Sequence, residues 1–333
     1  MSKHVIQVFG AALTAAALAL PAHAQVLLRL GNDVGPTTTQ AKANERFAEE
    51  VAKRKVGIEV RVFHNNQLGN GVQQIQNVKL GVQEMVNTGY ELLEPFSQDL
   101  RIAGTPFTFA DREHFEAWLR SPNFEKVQQE IVKNGNQRII NLGEIWRRGP
   151  YRVMISTKPI RNLDDFSKLK YRVPESDLQK RFWGKGGMGA TPIVLPLADV
   201  YLSLRQGVVD AISMPLDLVV PMKFAEVGKY VINSYDYPQF VGVMINEPKW
   251  QSLTPPQRKA ITDSLDEAGR FYNADIAANV EAWKRDIQQG GAQIVDIDRA
   301  PFINRARQLN LQWQKEGFWR PGLLDEVEAA RKK

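Results

Sequence analysis

The stretch from Thr254 to Gln289 constrains the architecture more than any other part of the chain. Thr254 has the residue type of a helix N-cap, Pro255 suits the first helical position, and Gln257 completes a capping box. Ile261, Leu265, Ala268, Tyr272, Ile276, Val280, Trp283 and Ile287 then recur at steps of three and four, which places them on one stripe. Gly290-Gly291 supplies the stop. About 35 residues at ~1.5 Å each make a helix of roughly 50 Å. That exceeds the width of one small domain, so the spacing predicts a helix running behind two.

The rest of the chain alternates strand and helix patterns. Val26–Gly31 reads as a first strand, and Ala41, Phe47, Ala48, Val51 and Ala52 mark a helix ending near Gly57. Ile58–Phe63 alternates as a half-buried strand. A turn at Leu68–Gly71 leads to a helix with Val72, Ile75, Val78 and Leu80, and Val82–Val86 resumes a strand. Two short helices broken at Ser121-Pro122-Asn123 fill residues 111–135. Strands are expected around Arg138–Leu142, Tyr151–Ser156, Leu169–Val173, Val208–Ile212 and Phe240–Ile245. This is an α/β pattern. The length of 333 residues suits two domains, and the absence of a low-complexity linker fits domains joined by several chain crossings.

The first 24 residues differ in kind. Lys3 precedes an uncharged apolar run, Val5–Leu20. Pro21 breaks it, and Ala22-His23-Ala24 forms an A-x-A site. This is the plan of a secretory signal peptide cleaved after Ala24, so the mature chain is expected to start at Gln25 in the periplasm. The run is too short to span a hydrocarbon core of ~30 Å, and no later segment is long and apolar enough. The chain has no Cys, which excludes disulfides and a cysteine lipid anchor and leaves stability to the core. The net charge of +6 includes Lys3. Arg147-Arg148 and Lys53-Arg54-Lys55 are short and flanked by acids, so they read as solvated surface, and no nucleic acid is expected as a partner.

Little here supports catalysis, and the chain is read as a binding protein with no cofactor or metal. His4 and His23 belong to the leader; His64 and His114 stand alone, without Cys, so metal ligation and nucleophilic catalysis lack material. Gly184–Gly189 matches G-x-G-x-x-G, but a helix precedes it and an extended segment follows, the reverse of a dinucleotide-binding turn. Asp164-Asp165 follows Asn162-Leu163 where a helix would start, which favours capping, and no acid pair, Asp210 included, has the spacing of two carboxylates sharing a proton. Open α/β sheets bind ligands at strand ends. Those ends nominate Asn32 and Asp33, then Asn87, Thr88, Gly89 and Tyr90, then Tyr235 and Asp236. Asp33 or Asp236 would suit hydroxyls or an amine on a ligand.

Several segments together resemble the substrate-binding proteins of TRAP transporters, the DctP-type family. They are Phe47–Val51 with Gln67-Leu68-Gly69, Thr105–Phe109, Lys158-Pro159-Ile160 with Leu169–Pro174, Gly189-Ala190, Asp199–Tyr201 with Leu204–Asp210, and Phe224–Tyr230. They cover residues 26–290 in order. The resemblance implies a two-domain periplasmic binding protein fold: residues 25–148 with 239–278 as one domain, 149–238 with 279–333 as the other, a ligand cleft between the lobes, and the long helix spanning both. It implies capture of a small organic acid (a C4-dicarboxylate, a sugar acid or another hydroxy or oxo acid) for a sodium-coupled permease of two membrane subunits. A sensory protein that hands its ligand to a receptor is the alternative; a secreted hydrolase is a third class, opposed by the sparse His and absent Cys. Arg172 matches the family's carboxylate-binding arginine, whose planar fork fits two oxygens. Arg152 lies where many relatives carry a second. Met214 stands where relatives often have Asn, and Met cannot donate that hydrogen bond, so either the carboxylate is held differently or Met214 packs an apolar part of the ligand.

Overall fold

The computed structural model describes residues 25–331; the proposed leader, residues 1–24, lies outside them. Eleven strands are present: β1 (Val26–Asn32), β2 (Ile58–Phe63), β3 (Met85–Gly89), β4 (Gln137–Ile139), β5 (Arg152–Ser156), β6 (Lys170–Val173), β7 (Thr191–Val194), β8 (Ala211–Pro215), β9 (Tyr230–Asn233), β10 (Val241–Asn246) and β11 (Gln293–Asp296). They form two sheets, ordered β2-β1-β3-β10-β4 and β11-β9-β5-β8-β6-β7. In the first, β1 runs parallel to β2 and β3, while β10 is antiparallel to β3 and β4. In the second, β6 is parallel to β7 and β8, and β5 is antiparallel to β8 and β9. The chain therefore crosses between sheets from β4 to β5 and back from β9 to β10. It crosses again through the long helix to β11.

That helix spans Pro255–Gln289, with the capping box in place: Gln257 N donates to Thr254 Oγ1 at 3.4 Å, and Thr254 N donates to Gln257 Oε1 at 3.0 Å. Its first half lies on the helix Thr39–Lys53 of the first sheet's layer, fastened by Arg54 to Glu267 at 2.6 Å and Thr39 to Asp275 at 2.6 Å. Trp146 stacks on Tyr272 and donates to the Leu265 carbonyl at 3.1 Å. The second half meets the short helix Leu216–Val219 and β11, burying Ile276, Trp283 and Ile287. Val280 is only partly buried.

Strand limits shift where apolar residues serve turns. Val82 is 59% exposed in the turn before β3, and Val208 is 44% exposed before β8. The C-terminal segment straddles the two sheet layers. Phe302 packs on Phe107 and Phe166. Further on, Arg320 pairs with Asp99 at 2.6 Å, and the His114 ring reaches the Val327 carbonyl at 2.6 Å. The bond from Ala110 N to His114 Nδ1 leaves Nε2 as the donor to Val327, so His114 is a satisfied core histidine. Among the described residues, no helix is long and apolar enough to cross a membrane.

Candidate functional site

Strand ends from both sheets line one cavity of about 330 Å³. The carboxyl ends of β1, β3, β6 and β8 deliver Asp33, Thr88, Arg172, Ser213 and Met214 to it. This is where open α/β sheets expose unpaired backbone and side chains together.

Arg172 is 8% exposed, and its Nε and Nη2 both donate to the Leu195 carbonyl, at 2.9 and 2.7 Å. No carboxylate among the described residues forms an ion pair with it. Burial, and then the nearby charge of Arg152, hold its guanidinium down at about 10. The charges of Glu91 and Asp33 act the other way but do not offset that burial.

Arg152 contrasts with it. Its Nε donates to Ser213 Oγ at 3.0 Å, Nη2 to the Ser213 carbonyl at 2.8 Å, and Nη1 to Gln239 Oε1. Asp236 stands 3.6 Å from Nε, and the guanidinium lies 4.5 Å from the Tyr237 ring centre. Gln239 in turn donates to both oxygens of Glu91 at 2.8 Å. Burial opposes the Arg152 charge, but Tyr237, Asp236 and Glu91 outweigh it and raise its pKa.

Arg148 is a site residue that sequence reading placed on the surface. It is 5% exposed and lines the cavity, and among the described residues its side chain makes no hydrogen bond or ion pair. Neighbouring Arg147 points the other way and holds Glu116 at 2.6 and 3.0 Å. The segment is extended, bridging Arg147 to Phe240, so successive side chains face opposite sides. Asp33 is half-buried; its Oδ2 accepts from Thr88 Oγ1 at 2.9 Å, and its Oδ1 has no partner among the described residues. Burial raises its pKa and Arg148 pulls it back. Met214, 3% exposed, supplies apolar wall.

Five nominated residues, Asn32, Asn87, Tyr90, Tyr235 and Asp236, do not line the cavity. Asn32 is fully buried, bonding His64 Nδ1 at 2.9 Å and accepting from Val34 N at 3.1 Å, so it shapes the turn after β1. The Tyr90 hydroxyl donates to the Ala103 carbonyl at 2.7 Å, and its ring stacks on Phe240 in the core. Tyr235 adopts a φ of 47° and packs outward on Tyr151. Asp236 sits one layer back, accepting from Ser213 Oγ at 2.6 Å and steadying Arg152. Of the β3 end, Thr88 and Gly89 reach the cavity, whereas buried Asn87 donates to the Gly242 carbonyl. The wall also holds Glu91, Trp183 and Gln239, which no motif marked, and Tyr171 from the Leu169–Pro174 segment. Among the described residues the Tyr171 hydroxyl has no hydrogen-bond partner.

The other acids have structural partners. Asp210 accepts from Lys170 N and pairs with Lys158, both at 2.9 Å. Asn162 caps the turn that contains Asp164 and Asp165. The glycine-rich loop follows the helix Asp177–Trp183 and precedes β7. Among the described residues, no cluster of His, Asp or Glu could hold a metal.

Comparison with known proteins agrees with this geometry. A solute-binding protein of Roseobacter denitrificans is 27% identical over 284 residues, 85% of each chain. The 2,3-diketo-L-gulonate-binding periplasmic protein YiaO of Escherichia coli is 25% identical over 307 residues, covering 90% of this chain and 92% of that one. The crystal structure of a TRAP periplasmic solute-binding protein from Ochrobacterium anthropi with bound L-fuconate superposes with a TM-score of 0.83 at 26% identity, over 92% of this chain and 99% of that one. The profile of the bacterial extracellular solute-binding proteins, family 7 (DctP), matches residues 30–316. The chain belongs to that family, which is one of binding proteins rather than enzymes.

Proposed function

We propose that this chain captures a small carboxylate in the cleft and delivers it to a sodium-coupled TRAP permease of two membrane subunits. The observation that carries the reading is Arg172, a buried guanidinium with two donors spent on one carbonyl and, among the described residues, no carboxylate in an ion pair with it. A ligand carboxylate would supply the missing charge and accept the remaining donors. Arg152, held by Ser213 and Gln239, contributes field and shape beside it. Thr88, Asp33 and Met214 form other parts of the same wall. Residues 25–148 with 239–278 and residues 149–238 with 279–333 form the two lobes, with the C-terminal segment bridging back to Asp99 and His114. The leader is removed after Ala24, and the mature chain works in the periplasm.

A thermal-shift screen of the mature chain against a library of organic acids tests the reading. An acid present at about 100 times its Kd stabilises the fold by ~2.7 kcal/mol. The shift should need Arg172, and titrations with permease-bearing vesicles should show sodium-dependent uptake only when the chain is present. A library in which no carboxylate raises Tm would overturn the proposal.

A further inference from the structure

We propose that His64 is a pH-sensitive lock on the wall of the cleft: its neutral ring holds the turn after β1, and a second proton on that ring releases it. The consequence for binding rests on the reading of the cleft as the ligand site; the lock itself is a property of the chain alone. His64 follows β2 and lies in a groove with Pro36, Lys42, Glu45, Arg46, Glu49 and Phe271, none of which lines the cleft. Its Nδ1 faces Asn32 Nδ2 at 2.9 Å, and its Nε2 faces Glu45 Oε1 at 2.7 Å. The Asn32 amide is oriented from its other side, because Val34 N donates to Asn32 Oδ1 at 3.1 Å. Asn32 Nδ2 therefore donates to Nδ1, and the ring proton sits on Nε2, toward Glu45.

A second proton must go to Nδ1, where it meets the Asn32 N–H: two donors and no acceptor. Asn32 is fully buried, so solvent does not make good the loss. Either the amide turns over and deserts Val34 N, or the ring withdraws and leaves Asn32 Nδ2 unpaired. The backbone held by this bond is in an uncommon conformation. The Asn32 carbonyl accepts from Asn66 N at 3.1 Å, and the Val34 carbonyl accepts from Asn65 N at 2.9 Å. Asn65 and Asn66 stand at φ of 51° and 62°, in the left-handed region that residues other than glycine hold when their neighbours fix them. Asp33 and Asn66, carried on these two turns, both line the cleft. Protonation outside the cleft thus loosens two residues of its wall. The charges around the ring divide. On the helix Thr39–Lys53, Glu45 and Glu49 favour the second proton, while Lys42 and Arg46 oppose it, Arg46 being paired with Glu50 at 2.9 Å. From the long helix Phe271 lines the groove, and Asp275 accepts from Thr39. On β2, Arg61 pairs with Glu59, and Asp33 turns away to Thr88.

The test is nitrogen NMR of the isotope-labelled mature chain without ligand. It follows the histidine rings and the amides of Val34 and Asn66 from pH about 8 to about 5, the range in which imidazoles titrate. Beyond the leader the only other histidine is His114, held by Ala110 N and the Val327 carbonyl, which serves as an internal control. At the upper end His64 should carry its proton on Nε2. On acidification the Val34 and Asn66 amides should shift with the midpoint of the His64 ring. Glu45→Gln, on the exposed side of the ring, should lower all three midpoints together by roughly 0.2–0.7 pH unit, the size of a surface ion pair. His64→Asn offers an amide oxygen near the place of Nδ1 and nothing that titrates. It should keep the amide positions of the upper end and abolish their movement. The lock is overturned if the ring proton is on Nδ1 at the upper end, if His64 stays neutral to pH about 5, or if its titration leaves both amides still. It is also overturned if the amides of His64→Asn titrate as in wild type, or if those of Glu45→Gln keep the wild-type midpoint. Where His64→Asn does not fold, the Glu45→Gln comparison decides. None of these measurements uses a ligand, so a failed lock leaves the carboxylate reading standing, and a chain that binds no acid leaves the lock standing.

Discussion

Replacing Arg172 with Met separates what that residue does for binding from what it does for folding. Without ligand the guanidinium is a liability: burial pulls its pKa down to about 10, which corresponds to roughly 3 kcal/mol against the charged form. Met keeps much of the aliphatic volume and removes that penalty. It also strips the Leu195 carbonyl of two donors, a loss of about 1–3 kcal/mol. The two nearly cancel, so Tm of the empty variant should stay within a few degrees of wild type, at roughly 2–4 °C per kcal/mol for a chain of this class. With ligand the balance is one-sided. If Arg172 anchors the ligand as proposed, the carboxylate loses its fork in a desolvated site, which should cost about 2–5 kcal/mol, or roughly 30-fold to several thousand-fold in Kd. Arg172→Lys should recover only part, since one ammonium cannot hold both the Leu195 carbonyl and two carboxylate oxygens. Calorimetry with the acid that gives the largest thermal shift reads the affinity, and differential scanning calorimetry of the empty forms reads the stability. Binding within about threefold of wild type by a folded Arg172→Met variant would place the anchor elsewhere. A collapse in Tm with affinity preserved would make Arg172 a structural residue.

Three further outcomes follow from the structure. Glu94 is buried between the Ser176 hydroxyl, Leu178 N and Arg101 Nε; Glu94→Ala leaves Leu178 N and the Ser176 hydroxyl at the start of the helix Asp177–Trp183 without their acceptor and removes the acid paired with Arg101, and should cost about 3–5 kcal/mol, read as a fall in urea midpoint. Asp217 is raised to about 6 by burial, against the pull of Arg148. A raised acid stabilises the fold below its unfolded value and loses that contribution as pH rises through the folded one; the stability of Asp217→Asn relative to wild type should therefore grow between pH about 4 and 6, and a flat difference over that window would refute the shift. Mature protein recovered from the periplasm should begin at Gln25 by N-terminal sequencing, and a chain starting at Met1 would refute the leader assignment.

The elements most legible in the sequence were those specified by local rules. The capping box at Thr254 and Gln257 and the apolar stripe behind it need only neighbours a few residues away, and the helix ends where Gly290 begins. The strand-end rule brought Asp33 and Thr88 to the cavity because the chain there leaves the sheet and the two side chains hydrogen-bond each other at its edge. It misplaced Asn32 and Tyr90, whose polar groups are taken by His64 and Ala103, partners that lie far along the chain from any local signal. Arg148 was illegible for a different reason. In one dimension it is indistinguishable from Arg147, and only the pairing of that extended segment with Phe240 turns one outward to Glu116 and the other into the cleft. Gln239, which joins Arg152 to Glu91, depends on three segments meeting and carries no motif.

The straddling C-terminus and the late strand β10 fix when this chain can finish folding. The first sheet needs β10, from residues 241–246, to cover β3 and β4. Asp99 waits for Arg320, 221 positions later, and His114 waits for Val327, 213 positions later. Contacts of that separation are formed slowly, because a long loop must close before any of them forms. A chain emerging from its amino end therefore carries an unfinished first lobe until almost the last residue is available. For a protein that must be threaded across a membrane before it works, that delay keeps the polypeptide extensible through transit and postpones the locked state to the side where the ligand is found.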